Sequence, residues 1–156
     1  MQRVFYPVPA WCDAHGNPHG GETVSAPTPV IRAAVYRRDF DRCVACNTTD
    51  GLTFQHRRAV GMGGSKVRPG AADGLTLCAV CNAACEADMQ SLALTNGWKV
   101  RRWADPIHVP CYYPHEFTWC RLEGVTRTPI TAVVALDMMH AVYGDEYFRF
   151  RREAGE

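Results

Sequence analysis

Four of the eight cysteines in this 156-residue chain form two CxxC pairs, Cys43-Val-Ala-Cys46 and Cys78-Ala-Val-Cys81. A CxxC turn brings two thiolates onto one ion, and two such turns complete a tetrahedral four-cysteine zinc site. Four thiolates leave no open position for a substrate water, so this metal is expected to build the fold rather than to catalyse. The remaining cysteines are spaced irregularly: Cys12 near His15 and His19, and Cys111 and Cys120 interleaved with His108 and His115. They read as buried or free thiols rather than as a second metal set. Cys85 falls on an expected helix and reads as a packing residue.

Between the pairs lie 31 residues, more than a simple zinc ribbon requires and enough for a functional hairpin. They include FQHRRAVGMGGSK at positions 54–66, where His56 stands beside Arg57 and Arg58 and is followed by Gly61, Gly63 and Gly64. A histidine, with an ordinary pKa near ~6.5, is neutral and basic at cellular pH. The glycines allow a sharp turn and close approach to another backbone. Arg57, Arg58, Lys66 and Arg68 are placed to meet phosphates, as positioning contacts rather than sequence readout. Charge along the chain agrees: from Ile31 to Trp103 there are eleven basic and six acidic side chains, and elsewhere six basic and ten acidic. The middle is the basic part, which suits a polyanionic partner.

Taken in order, RDFDRCVAC (38–46), QHRRAVGMGGSK (55–66) and DGLTLCAVCNAACE (73–86) resemble the HNH endonucleases, especially the small zinc-containing forms of bacteriophages. The CysAsnAlaAla element is also similar to the phage Holliday-junction-resolving endonucleases, which share that core. The resemblance covers roughly residues 30–104. It implies an α+β fold: a zinc-stabilised ββα-metal, treble-clef-like core with short flanking helices and a small β-rich C-terminal extension. It implies hydrolysis of double-stranded DNA, with His56 on the first hairpin strand as general base and Cys43, Cys46, Cys78 and Cys81 on structural zinc. Gln55, Asn82 and Glu86 would bind a catalytic divalent ion. Asn82 and Glu86 are four apart and share one helix face, and all three offer oxygen, which suits Mg²⁺ or Mn²⁺. Two positions depart from the pattern. Gln55 stands where aspartate or histidine is usual, and Asp73 stands for the asparagine that orients the base.

These motifs need elements to hold them. Residues 1–29, with prolines 7, 9, 18, 27 and 29 and several glycines, read as an irregular arm. A short helix is expected over 29–39, and the unit spanning 30–104 should form the nuclease core. A helix is expected over 82–94, stopped by Asn96-Gly97. Residues 98–128 read as two or three short strands, and a last helix should run from about 130 to 143 before Gly144. Residues 105–156 are expected to pack on the core and to offer a docking face for a phage partner. The longest apolar run, residues 130–136, is too short to span a bilayer, and no secretion signal is evident, so a cytoplasmic location is expected. Two other readings stand beside the nuclease: a catalytically inactive zinc module that binds DNA, and a structural part of a phage or nucleoprotein assembly.

Overall fold

The computed structural model describes residues 26–59 and 67–155. Most of the expected N-terminal arm, with Cys12, lies outside them, as do Gly61, Gly63, Gly64 and Lys66. The described chain is mixed α and β. It begins with helix α1 (Pro29–Arg38), where Thr28 caps the N-terminus by accepting the Ile31 N–H at 3.2 Å and Pro29 supplies a preset φ. The helix stops where Phe40 and Asp41 turn left-handed, at φ 58° and 52°.

The first cysteine turn follows, then strand β1 (Leu52–His56). β1 pairs antiparallel with β2 (Gly74–Cys78) in a register that sets Leu52 opposite Cys78 and His56 opposite Gly74. Only glycine fits at 74, because a Cβ there would overlap the Phe54 ring. β2 runs directly into helix α2 (Ala79–Glu86). Where one helix was expected over 82–94, there are two. α2 begins three residues earlier, capped by the Cys78 sulfur, and ends at Glu86; α3 (Gln90–Thr95) follows a break at Ala87–Met89. The break turns Met89, Leu92 and Ala93 into the core, which a straight continuation past exposed Glu86 and Ala87 would not do.

The C-terminal part forms a three-stranded antiparallel meander of β3 (Cys111–Tyr113), β4 (Thr118–Glu123) and β5 (Thr126–Ile130). Helix α4 (Ala132–Tyr143) starts at the Thr131 cap and stops at Gly144, φ 56°. A further helix, α5 (Glu146–Ala154), was not anticipated; it buries Tyr147 and Phe150 against α3 and α4. One core joins the two halves: Leu75, Leu77, Cys85 and Trp98 pack with Cys111, Tyr113, Cys120 and Leu122. A second cluster packs Leu94, Val100 and Val109 with Met139, Tyr143 and Phe150. Cys111 and Cys120 face each other across the meander as buried thiols, and burial pushes Cys111 up to about 12. No described helix is long and apolar enough to cross a membrane.

Two buried arginines fix the irregular segments to this frame. Arg38 forms a two-pronged pair with buried Asp39 at 2.9 and 3.0 Å and donates to the carbonyls of Ala71 and Gly74. Asp39 also accepts the Thr76 N–H and the Tyr113 hydroxyl, so one carboxylate links α1, β2 and β3. Burial alone would lower the Arg38 pKa, but Asp39 outweighs it and raises it.

Arg57 corrects an expectation. Read as a phosphate contact, it is instead fully buried, with no solvent-exposed surface. Its guanidinium donates to four backbone carbonyls: Gly97 at 2.9 Å, Ala72 at 3.1 Å, Pro106 at 3.0 Å and Val109 at 2.7 Å. The physical reason lies in those loops. They end in carbonyls with no ladder partner, and a rigid five-donor fork satisfies them together. Burial pulls the Arg57 pKa down from the ordinary arginine value. Arg57→Met should therefore lower unfolding free energy by at least about 3 kcal/mol, because several buried acceptors lose their donor. Urea unfolding checks this. A variant with an unchanged urea midpoint and weakened DNA binding would return Arg57 to the interface.

Candidate metal centre and flanking polar site

The two cysteine turns meet because the hairpin folds back on itself. The first turn is closed by Cys43 N–H to Thr48 O and Asn47 N–H to Cys43 O, both 2.8 Å, with Asn47 left-handed at φ 64°. Val44 N–H bonds Thr76 O at 2.9 Å, which fastens this turn to β2. The second turn spans the end of β2 and the first turn of α2, where Cys81 N–H points at the Cys78 sulfur at 3.4 Å. The sulfurs of Cys43, Cys46, Cys78 and Cys81 all lie within 4.8 Å of one another. Cys46 and Cys78 are 3.8 Å apart. A tetrahedral zinc with bonds of ~2.3 Å requires sulfur–sulfur edges of about 3.8 Å, so the four thiols fit a metal such as zinc. Among the described residues this is the one cluster of histidine, cysteine and carboxylate side chains that could hold an ion. Burial raises the Cys43 pKa. Cys81 is pushed up by burial and by the adjoining thiols. Cys78, despite burial, is held below the ordinary value by Cys81 N–H and the neighbouring sulfurs.

Strand alternation divides the remaining site residues between two faces. Thr53 and Gln55 turn toward α2. Thr53 accepts a hydrogen bond from the Asn82 side chain at 2.9 Å, and buried Gln55 reaches Glu86 at 3.5 Å. Phe54 and His56 turn the other way: their rings meet edge to face at 5.1 Å, and Phe54 packs against Val35 of α1. His56, half-buried, is thus separated by the strand itself from Gln55, Asn82 and Glu86. Burial lowers its pKa; nearby Asp73 opposes that shift and Arg32 of α1 adds to it. The proximity of Arg32 to the histidine could not be read from a residue 24 positions upstream.

Asp73 does not hold the histidine ring by a hydrogen bond among the described residues. Its carboxylate accepts the Gly70 N–H at 2.9 Å and faces Arg58 at 3.5 Å, while its carbonyl accepts the Arg57 N–H. It shapes the turn into β2 and sets charge near His56. Arg58 and Arg68 are exposed.

The expected divalent set does not fit a hard dication as it stands. Its sole carboxylate, Glu86, is paired with the Lys99 ammonium, and Gln55 donates an amide N–H to the other carboxylate oxygen. With neutral Gln55 and Asn82, the group carries no net negative charge. Sequence reasoning counted Lys99 only as part of a basic stretch; a separation of thirteen residues, across a helix break, gave no sign of the pairing.

Purified protein is expected to carry one zinc per chain. Cys43→Ser or Cys78→Ser should lose the metal and lower the melting temperature, since metal binding and folding are linked. Atomic emission and a thermal melt read both. Full metal content with unchanged melting in the two variants would remove the centre. No family model, curated protein or solved structure matches the chain, so its own geometry carries the functional reading.

Proposed function

We propose that the chain is an HNH-type endonuclease that hydrolyses phosphodiester bonds of double-stranded DNA, with His56 as general base and a structural zinc on the four cysteines. The order of parts supports it: a cysteine turn, a two-stranded hairpin, then the second cysteine turn opening a helix. The observation that carries the reading is the setting of His56. It ends β1, is half-buried, and is held below the ordinary histidine pKa by burial, which favours the neutral ring a general base needs. Arg32 stands on the same side, Arg58 lies two residues on, and Arg68 lies on the return toward β2.

A neutral imidazole takes the proton of a water whose oxygen attacks phosphorus; the P–O3′ bond breaks on the opposite side, the departing 3′ oxygen takes a proton from solvent, and the protonated ring faces the new phosphate. Arg32, Arg58 and Arg68 hold the phosphate backbone against the histidine. By resemblance the products carry 5′-phosphate and 3′-hydroxyl ends. No step is assigned to a divalent ion at Gln55, Asn82 and Glu86, because Lys99 already neutralises the one carboxylate there. That pair favours a second reading, a zinc module that binds DNA without cutting it.

Nicking of supercoiled plasmid, with Mg²⁺, Mn²⁺ or neither, separates the two. His56→Ala should slow nicking about 10²-fold or more while leaving DNA affinity nearly unchanged, since a general base acts mainly in the transition state. The sign of the pH effect follows from the need for an unprotonated ring. Activity rises with pH through a His56 pKa that lies below the ordinary ~6.5 and is level by neutrality. Arg58→Ala and Arg68→Ala should weaken binding and flatten its salt dependence. Wild-type nicking by His56→Ala would sink the catalytic assignment, and salt-sensitive binding with no nicking under any condition would establish the second reading.

A further inference from the structure

The Glu86 carboxylate sits at the solvent edge of α2 with its side chain 57% exposed, whereas the Lys99 side chain that meets it is 6% exposed. The cation approaches from inside the protein. Its backbone is held on both sides: Lys99 N–H bonds Ala93 O at 3.0 Å, Val100 N–H bonds Arg57 O at 2.6 Å, and the Trp98 ring N–H bonds Tyr112 O at 2.8 Å. The ammonium is therefore delivered by a rigid segment rather than by a surface side chain free to swing away. Gln55, 2% exposed, donates to the second Glu86 oxygen from the hairpin side. Both carboxylate oxygens are engaged by donors, and one of those donors carries full positive charge.

We propose that the Lys99 ammonium is a built-in occupant of the cation position formed by Gln55 and Glu86, and that it keeps divalent metal ions out of this position. The inference rests on the nuclease reading only for singling out these residues as a metal position; the charge pairing stands independently. A dication entering beside Glu86 meets a like charge within a few ångströms, and the buried stem of Lys99 keeps that charge from moving aside. The ammonium cannot withdraw to water without leaving the space its stem fills. A neutral chain of similar length would leave Glu86 with its charge unmatched and with solvent access on its outer side, the arrangement a hard cation takes.

The test is Mn²⁺ binding to the full-length, zinc-loaded protein without DNA, followed by the electron paramagnetic resonance signal of free Mn²⁺. Wild type should take up no Mn²⁺ below millimolar concentration. Lys99→Met should bind one Mn²⁺ at least about tenfold more tightly, and adding Glu86→Gln should abolish that gain. Lys99→Gln, one atom shorter but still a hydrogen-bond donor, should behave like Lys99→Met and serves if the methionine variant does not fold. Submicromolar to micromolar Mn²⁺ binding by wild type would overturn the proposal. So would folded Lys99 variants that bind no better than wild type, or a gain that survives Glu86→Gln. Because the readout uses neither DNA nor turnover, it can fail while plasmid nicking succeeds, or succeed while nicking fails.

Discussion

A single guanidinium, that of Arg57, holds the central hairpin to everything around it. It has no contact with water and no carboxylate partner, yet it meets carbonyls from the turn before β2, from the bend after α3, and from two positions in the 106–109 stretch. Those segments are too irregular to satisfy one another by ladders. Burying a charge is costly unless it is hydrogen-bonded, and here four backbone carbonyls meet it, of which, among the described residues, only Pro106 also accepts an N–H, that of Val109. The bend at Gly97 follows from the same constraint. Its φ of 68° turns its carbonyl onto Arg57, and any side chain there would strike the Pro110 carbonyl. His56, the last residue of β1, directly precedes Arg57, so the candidate base sits beside a firmly anchored neighbour.

The Arg38–Asp39 pair does similar work one layer away, tying α1 to β2 and β3. With the cysteine cluster, these make three polar nodes in a small protein whose apolar clusters are modest. Each node joins segments distant in sequence. The face that α1 shares with Phe54 and His56 is consequently fixed from behind, and among the described residues Arg32 is exposed on its other side. On the opposite face, the Asn82–Thr53 and Glu86–Lys99 contacts leave the hairpin and α2 mutually satisfied and charge-neutral.

Much of this was legible in the residues. The CxxC spacing announced the cysteine cluster, apolar spacing gave the helix at 29–39, and Gly144 marked the end of α4. Two or three short strands were expected over 98–128 from β-branched and aromatic residues; the three observed lie at 111–130. What escaped detection has physical causes. An arginine on a basic strand reads as a phosphate contact whether it faces water or core. The break after Glu86 has no proline or glycine to mark it and is imposed by the core's demand for Met89 and Leu92. α5 had a signal, Tyr147 and Phe150 three apart, obscured by five charged residues around them. The Lys99–Glu86 pair depends on that unmarked break and was invisible for the same reason.

The four-cysteine cluster also acts on the unfolded chain. A metal there would join Cys46 to Cys78 across 31 intervening residues, as a covalent crosslink would. It would remove most of the closure entropy of the hairpin before any strand pairing forms. Closure entropy grows only logarithmically with loop length, so doubling the connection between β1 and β2 would cost about 0.6 kcal/mol. Between Arg58 and the Gly70–Asp73 turn, the connection can therefore lengthen, shorten or change composition while the register from Leu52–Cys78 to His56–Gly74 persists. Evolutionary variation is cheapest in that connection, next to the histidine, and most expensive at the crosslink that makes it cheap.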